Sequence, residues 1–266
     1  EYCSSVGVYA KYAGSFFRNE TEMREKISVA MATYNGEQYI EEQLKSVLKQ
    51  LNDNDEIIIS DDGSTDSTMN IIDGIGDCRI KVFKGPKKGV KKNFENAIRQ
   101  CKGKYIFLCD QDDVWHNNKV DTLLNVFKTN SDCKCILHDC IVYDDRCECI
   151  IYDSFFEFRD SKPGIVRNWY KNSYIGCCMA FDSSLKDVIL PVPNNIEMHD
   201  QWIGIISEIV GKSIFLNERL IKYRRHANNV SGMSHHSVGD MVKKRILFVA
   251  NIIKILPRLL RRKLCH

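Results

Sequence analysis

In the first half of the chain, short apolar runs alternate strictly with segments of helical spacing. The runs are residues 27–33, 56–60, 80–83 and 105–109. An apolar run bounded by polar residues reads as a buried strand. Between the runs, Ile40, Leu44, Val47, Leu48 and Leu51 recur at helical spacing, as do Phe94, Ala97 and Ile98. Strand alternating with helix implies right-handed crossovers and an α/β fold with a mainly parallel central sheet flanked by helices. Few other architectures accommodate that pattern.

The ends of these runs carry the chemistry. Open α/β sheets bind ligands outside the carboxyl ends of their strands. Three runs end there in polar turns: Thr33-Tyr34-Asn35, Asp61-Asp62-Gly63 and Asp110-Gln111-Asp112. Asp110 and Asp112 are separated by one residue, and carboxylates so close repel unless a cation lies between them. A hard divalent ion with oxygen ligands would remove that cost. An Asp-rich turn with no ion is the plainer alternative. Convergence of the three turns suits a phosphate-bearing nucleotide. Neither Gly-x-Gly-x-x-Gly nor Gly-x-x-x-x-Gly-Lys-Ser/Thr occurs, which removes the main support for a dinucleotide-dependent dehydrogenase or a P-loop enzyme.

Further along, residues 119–130 read as a helix carrying Val120, Leu123, Leu124 and Phe127, and residues 135–143 as another strand. Residues 144–172 are irregular and aromatic, and read either as a core patch or as an acceptor-binding region. Residues 174–181 are expected as a strand, 202–210 as a helix with Asp200 at its N-cap, and 214–216 and 220–223 as two short strands. Residues 1–26 form a lead-in without strong period, and 27–234 form the main domain. Residues 235–266 form a basic amphipathic tail, with a helix kinked or ended at Pro257. That tail either packs on the domain or lies on an anionic bilayer.

A net charge of +3 gives no reason to expect nucleic acid as a partner. No apolar run reaches the length of a membrane span, and residues 1–13 lack the layout of a signal peptide. A cytoplasmic location follows as an expectation, with peripheral contact at the inner face of the plasma membrane through the tail. The chain has 12 cysteines. Cys133, Cys135, Cys140, Cys147 and Cys149 cluster near His138, and these read as a zinc site or as small buried hydrophobes.

Taken together, Met31-Ala32-Thr33-Tyr34-Asn35-Gly36, Ser60-Asp61-Asp62-Gly63-Ser64-Thr65-Asp66, Asp110-Gln111-Asp112-Asp113-Val114-Trp115 and Met198-His199-Asp200-Gln201-Trp202 resemble, in order, the motifs of family 2 glycosyltransferases with the GT-A fold. With Tyr223-Arg224-Arg225-His226, the pattern is similar to bacterial rhamnosyltransferase-like enzymes of cell-surface polysaccharide synthesis. The resemblance implies an inverting transferase that uses a nucleoside-diphosphate sugar, dTDP-rhamnose or a UDP-hexose, and a glycan or lipid-linked oligosaccharide acceptor. By the same resemblance, Thr33, Tyr34, Asn35 and Trp202 would line the substrate pocket. Asp61 or Asp62 would accept a hydrogen bond from the pyrimidine. Asp110 and Asp112 would hold Mg²⁺ or Mn²⁺ on the diphosphate, Asp112 more directly. Asp200 would be the catalytic base, and His226 a further metal ligand or a satisfied surface histidine. A sugar nucleotidyltransferase and a non-catalytic nucleotide-sugar scaffold are the competing readings. The former normally brings a basic Gly-rich loop after its first strand, where this chain has Thr33-Tyr34-Asn35-Gly36-Glu37.

Overall fold

The computed structural model describes residues 24–226, 229 and 238–264. Most of the expected lead-in therefore lies outside the described residues, as do residues 227, 228 and 230–237. The elements in chain order are β1 (Ile27–Thr33), α1 (Ile40–Leu48), β2 (Glu56–Asp61), α2 (Thr68–Ile75), β3 (Ile80–Lys84), α3 (Val90–Gln100), β4 (Tyr105–Asp110), β5 (Val114–Trp115) and α4 (Lys119–Thr129). There follow β6 (Cys133–Tyr143), β7 (Ile150–Tyr152), α5 (Phe155–Arg159), α6 (Ile165–Tyr170), β8 (Met179–Asp182), α7 (Lys186–Ile189), α8 (His199–Val210), β9 (Lys212–Arg224) and α9 (Val238–Leu264).

Strands β1, β2 and β4 are buried along almost their whole length, which is why they read as continuous apolar runs. Helices cover both faces. Ile40, Leu44 and Val47 of α1, Phe94, Ala97 and Ile98 of α3, and Val120, Leu123 and Phe127 of α4 all enter the core. The sheet order is β3-β2-β1-β4-β8-β6-β9-β5, with β7 added on β6. The first four strands are parallel, as expected. The second half is not. β8 runs antiparallel to both β4 and β6, and β5 antiparallel to β9, so the sheet is mixed.

Register decides what shares an edge. Thr33 pairs with Asp61 and Ala32 with Asp110, so the turns after β1, β2 and β4 emerge side by side. Two of these turns need backbone outside the usual regions. Gly63 has φ +96° and Asn35 φ +47°, conformations that Gly and Asn tolerate best.

Several boundaries differ from the sequence reading. The two short strands expected at 214–216 and 220–223 are one strand, β9, because irregularities in its pairing with β6 near Asp139 absorb the polar Asn217-Glu218-Arg219 interruption. Residues 174–181 give a strand only from Met179. Before it, Gly176–Cys178 form a 3₁₀ turn, and the buried Lys119 Nζ donates to the Cys177 carbonyl at 2.8 Å. Helix α9 runs through Pro257 and ends at Leu264 rather than at the proline. Its Phe248, Ile255 and Leu259 pack on the domain, while Val242, Ile246, Val249, Ile253, Leu256 and Leu260 face outward. Among the clustered cysteines, Cys133, Cys135 and Cys140 are buried along β6, Cys147 is half-buried and Cys149 exposed. Burial pushes the Cys133 thiol up to about 12.

Candidate active site

The turn after β2 shows how the edge is built. The Asp61 carboxylate accepts from the Thr33 and Ser64 hydroxyls at 3.1 and 2.5 Å and from the Gly63 and Ser64 amides at 3.0 and 2.9 Å. Its four acceptor positions are filled, so it holds the turn together. Thr33, expected in the substrate pocket, is likewise 1% exposed and committed to Asp61. Asp62 accepts only the Lys87 and Gly89 amides, one on each oxygen, at 2.6 and 2.8 Å, and keeps acceptor capacity. Asn35 ties its loop to Ser64 and Thr65. Tyr34 is 57% exposed, with its ring free at the edge.

Gln111, the residue between the paired aspartates, latches two turns together. It accepts from the Tyr34 amide at 2.9 Å and donates to the Tyr34 carbonyl at 3.1 Å. A side chain at Gly36 would meet the end of the Gln111 side chain, which would have to shift and strain these two bonds.

Asp110 and Asp112, expected to share one ion, are electrostatic neighbours with different contacts. Asp112 Oδ2 lies 2.8 Å from His226 Nε2 and 3.5 Å from Asn229 Nδ2. Asp110 instead approaches Asp113 and Cys177, whose ligating atoms and its own lie within 4.8 Å of one another. Burial, then Asp112 and Asp200, push Asp110 up to about 7. Burial also raises Asp113, whose Oδ2 is buried without a partner. Lys119 lies beneath this group, fully buried, with its ammonium 4.0 Å from the centre of the Trp115 ring.

Arg224 clamps the turn from β9. Its Nε donates to the Asp112 carbonyl at 2.8 Å, its Nη1 to the Asp145 carbonyl at 2.8 Å and its Nη2 to Glu42 at 2.7 Å. Its backbone amide reaches Asp113 at 3.1 Å. The Tyr39 ring stacks on His226 at 4.8 Å and fixes the imidazole plane.

A divalent cation fits Asp112 and His226. Two donors about 2.1 Å from one ion, at right angles, stand about 3 Å apart, close to the spacing seen. Carboxylate with imidazole suits Mn²⁺ or Mg²⁺, whereas Cys177, its thiol raised by burial, offers such an ion little.

Asp200 lies in the first turn of α8, not at its N-cap, which is Met198. It is 7% exposed and accepts from the Gln201 amide at 2.5 Å, with the Asn172 amide at 3.5 Å. Burial pushes it up to about 6. Trp202, expected to line the pocket, is instead a core residue. It is fully buried, its indole donates to the Ile189 carbonyl at 2.9 Å, and its ring meets Phe248 of α9 edge-on. His199 is buried against Phe94 and held down to about 3 by burial.

Residues 28–185 match the model for glycosyl transferase family 2. The chain belongs to that family. Family membership sets aside the nucleotidyltransferase reading. The chain is 30% identical over 223 residues to the dTDP-rhamnosyl transferase RfbG of Shigella flexneri, covering 76% of this chain and 73% of that one. It is 38% identical over 210 residues to the UDP-Glc:alpha-D-GlcNAc-diphosphoundecaprenol beta-1,3-glucosyltransferase WfaP of Escherichia coli, covering 78% and 80%. In fold it matches S. aureus TarS 1-349 in complex with UDP-GlcNAc, with a TM-score of 0.69, 20% identity and coverage of 89% and 72%. It also matches the mannosyltransferase PcManGT of Pyrobaculum calidifontis in complex with GDP-Man and Mn2+, with a TM-score of 0.60, 15% identity and coverage of 91% and 74%. The family 2 chain is thus a GT-A-like glycosyltransferase with a C-terminal helix.

Sequence reading places Asp113 and Arg224 within its motifs but gives neither a role, and it passes over Lys119 and Asn172. Lys119 looks like an ordinary first residue of a helix, and only packing turns it inward. A cavity of about 630 Å³ beside α3, lined by Lys88, Lys91 and Lys92 among others, contains none of these carboxylates.

Proposed function

We propose that this chain transfers a sugar, with inversion, from a nucleoside-diphosphate sugar to a glycan or lipid-linked acceptor in bacterial cell-surface polysaccharide synthesis. The observation that carries this reading is Asp200, a buried carboxylate held near neutrality and close enough to Asp110 to raise it. A base so tuned accepts a hydroxyl proton at cytoplasmic pH. Asp62 offers its unused lone pairs to the base N–H of the nucleotide, and Tyr34 offers its ring face. Asp112 and His226 hold Mg²⁺ or Mn²⁺, with Asp110 beside them. The ion, when bound, neutralises the diphosphate leaving group. Arg224 and Gln111 keep the two donor-side turns in register.

The donor class is a dTDP- or UDP-sugar, as in the names of the two relatives. The acceptor is presented at the inner face of the plasma membrane. Support comes from α9, where the outward apolar stripe is flanked by the exposed Lys243, Lys254, Arg258 and Arg261. That is the pattern of a helix lying in an anionic interface. No described helix is long and apolar enough to cross a membrane.

The test is a screen of nucleotide sugars for thermal stabilisation with Mn²⁺, since a ligand that binds only the native state raises Tm. One dTDP- or UDP-sugar should stabilise the wild type only with the ion, and Asp112→Ala should abolish that dependence. Equal stabilisation of wild type and variant would remove Asp112 from the metal site.

A further inference from the structure

Between α6, the start of α8 and α9 lies a small crevice lined by Trp169, Asn172, Gln201, Lys244, Arg245 and Glu197, among others. It adjoins the proposed base directly. Asn172 lines it and reaches Asp200, and Gln201 is the next residue on α8. Its electrostatics are unbalanced. Arg245 donates to the Met241 and Tyr170 carbonyls, but its Nε is buried with no acceptor. No carboxylate pairs with this guanidinium among the described residues. A buried donor on a charged group left unmet is costly. Lys244, which contacts Glu197 at 3.4 Å, lines the same crevice and adds a second positive charge.

We infer that this crevice seats a phosphate of the acceptor, the diphosphate that joins its first sugar to an isoprenoid lipid. The inference rests on the reading of Asp200 as the base. An acceptor hydroxyl held at Asp200 places the anomeric phosphate of the same sugar one ring away, across Asn172, where Arg245 waits. Guanidinium is well suited to phosphate because its donors are planar and paired. The lipid then leaves along the apolar stripe of α9, which begins at Val242 and Ile246 on either side of these two cations. The surface that meets the bilayer and the carboxylate that takes the proton are thereby joined by one anion seat.

The same phosphate chemistry could come from a phospholipid headgroup, so the test has two arms. The full chain is titrated, in EDTA, with farnesyl diphosphate and with farnesol, and separately with phosphatidylglycerol vesicles. Wild type should bind the diphosphate at least tenfold more tightly than the alcohol. Arg245→Ala should lose about tenfold on the diphosphate, the worth of one charge-assisted contact. Its partition onto vesicles should change less than twofold. Lys244→Glu, at a half-exposed position, should weaken the diphosphate as well and guards against a folding defect in the first variant. Equal losses in both arms would make this a headgroup site, and an unchanged diphosphate affinity would make it no site. Displacement of the bound farnesyl diphosphate by UDP would place it in the donor pocket. Each of these overturns the inference. Asp200→Asn should bind farnesyl diphosphate normally while losing transfer. Normal transfer by that variant would remove the base and leave the anion seat standing.

Discussion

Replacing Asp200 by Asn should make the protein inactive and more stable at once. Burial raises this carboxylate from 3.8 to about 6, so ionising it costs more in the folded chain than in the unfolded one. The sign follows from the raised folded value. The penalty is absent below the unfolded pKa, grows through the interval, and is complete above the folded pKa. At about 1.4 kcal/mol per pKa unit, the ionised group costs about 3 kcal/mol at pH 8 and about half that at pH 5. An amide carries no charge and removes that penalty, although its NH₂ cannot accept a hydrogen bond as the lost oxygen could, which returns about 1 kcal/mol. Asp200→Asn should therefore gain about 2 kcal/mol at pH 8 and about 1 kcal/mol less at pH 5, read by urea denaturation at both pH values. Loss of a general base should lower transfer by about 10²- to 10⁴-fold. Donor-induced stabilisation with Mn²⁺ should persist. A variant that gains the same stability at both pH values would refute the assigned proton linkage, and one that transfers sugar normally would refute the role.

For the wild type, kcat should fall as pH drops through about 6, because only the ionised Asp200 accepts a proton. A pH profile flat down to pH 5 would count against it. Arg224→Met removes the charge-assisted bonds to the Asp112 and Asp145 carbonyls and should destabilise by about 2–4 kcal/mol, with weaker Mn²⁺ activation in the folded fraction. Gln111→Ala frees the Tyr34 loop, at about 1 kcal/mol in stability, and should raise donor KM severalfold with little change in kcat. Lys119→Met takes away the buried cation that pulls Asp110 downward, so the Mn²⁺ activation curve measured between pH 6 and 8 should move to higher pH.

What was legible in the chain was legible for a local reason. Strands β1, β2 and β4 are buried on both faces and cannot carry polar residues until they reach the sheet edge. The turns therefore announce themselves, with Asp62, Asp110 and Asp112 in them, whereas Asp200 by itself reads only as a helix N-cap and takes its role from the family resemblance. Whether each carboxylate is free is a different question. Asp61 and Asp62 are neighbours with the same charge, yet one is saturated by its own turn and the other is not. Trp202 lies in the same motif as Asp200, but two residues on, about 200° around the helix, it faces the core rather than the edge.

The sequence by itself determined the α/β order, the edge at which the chemistry gathers, and the acidic residues available there, because hydrophobic periodicity and turn chemistry act over a few residues. The tertiary structure decided the partners. Asp112 meets His226 across 114 positions, Arg224 grips the Asp112 turn across 112, and Asn172 comes to Asp200 across 28. It also fixed the reversal of β8 that makes the sheet mixed, and the inward turn of Lys119. Those pairings depend on burial and on long-range register, which no local window of residues contains.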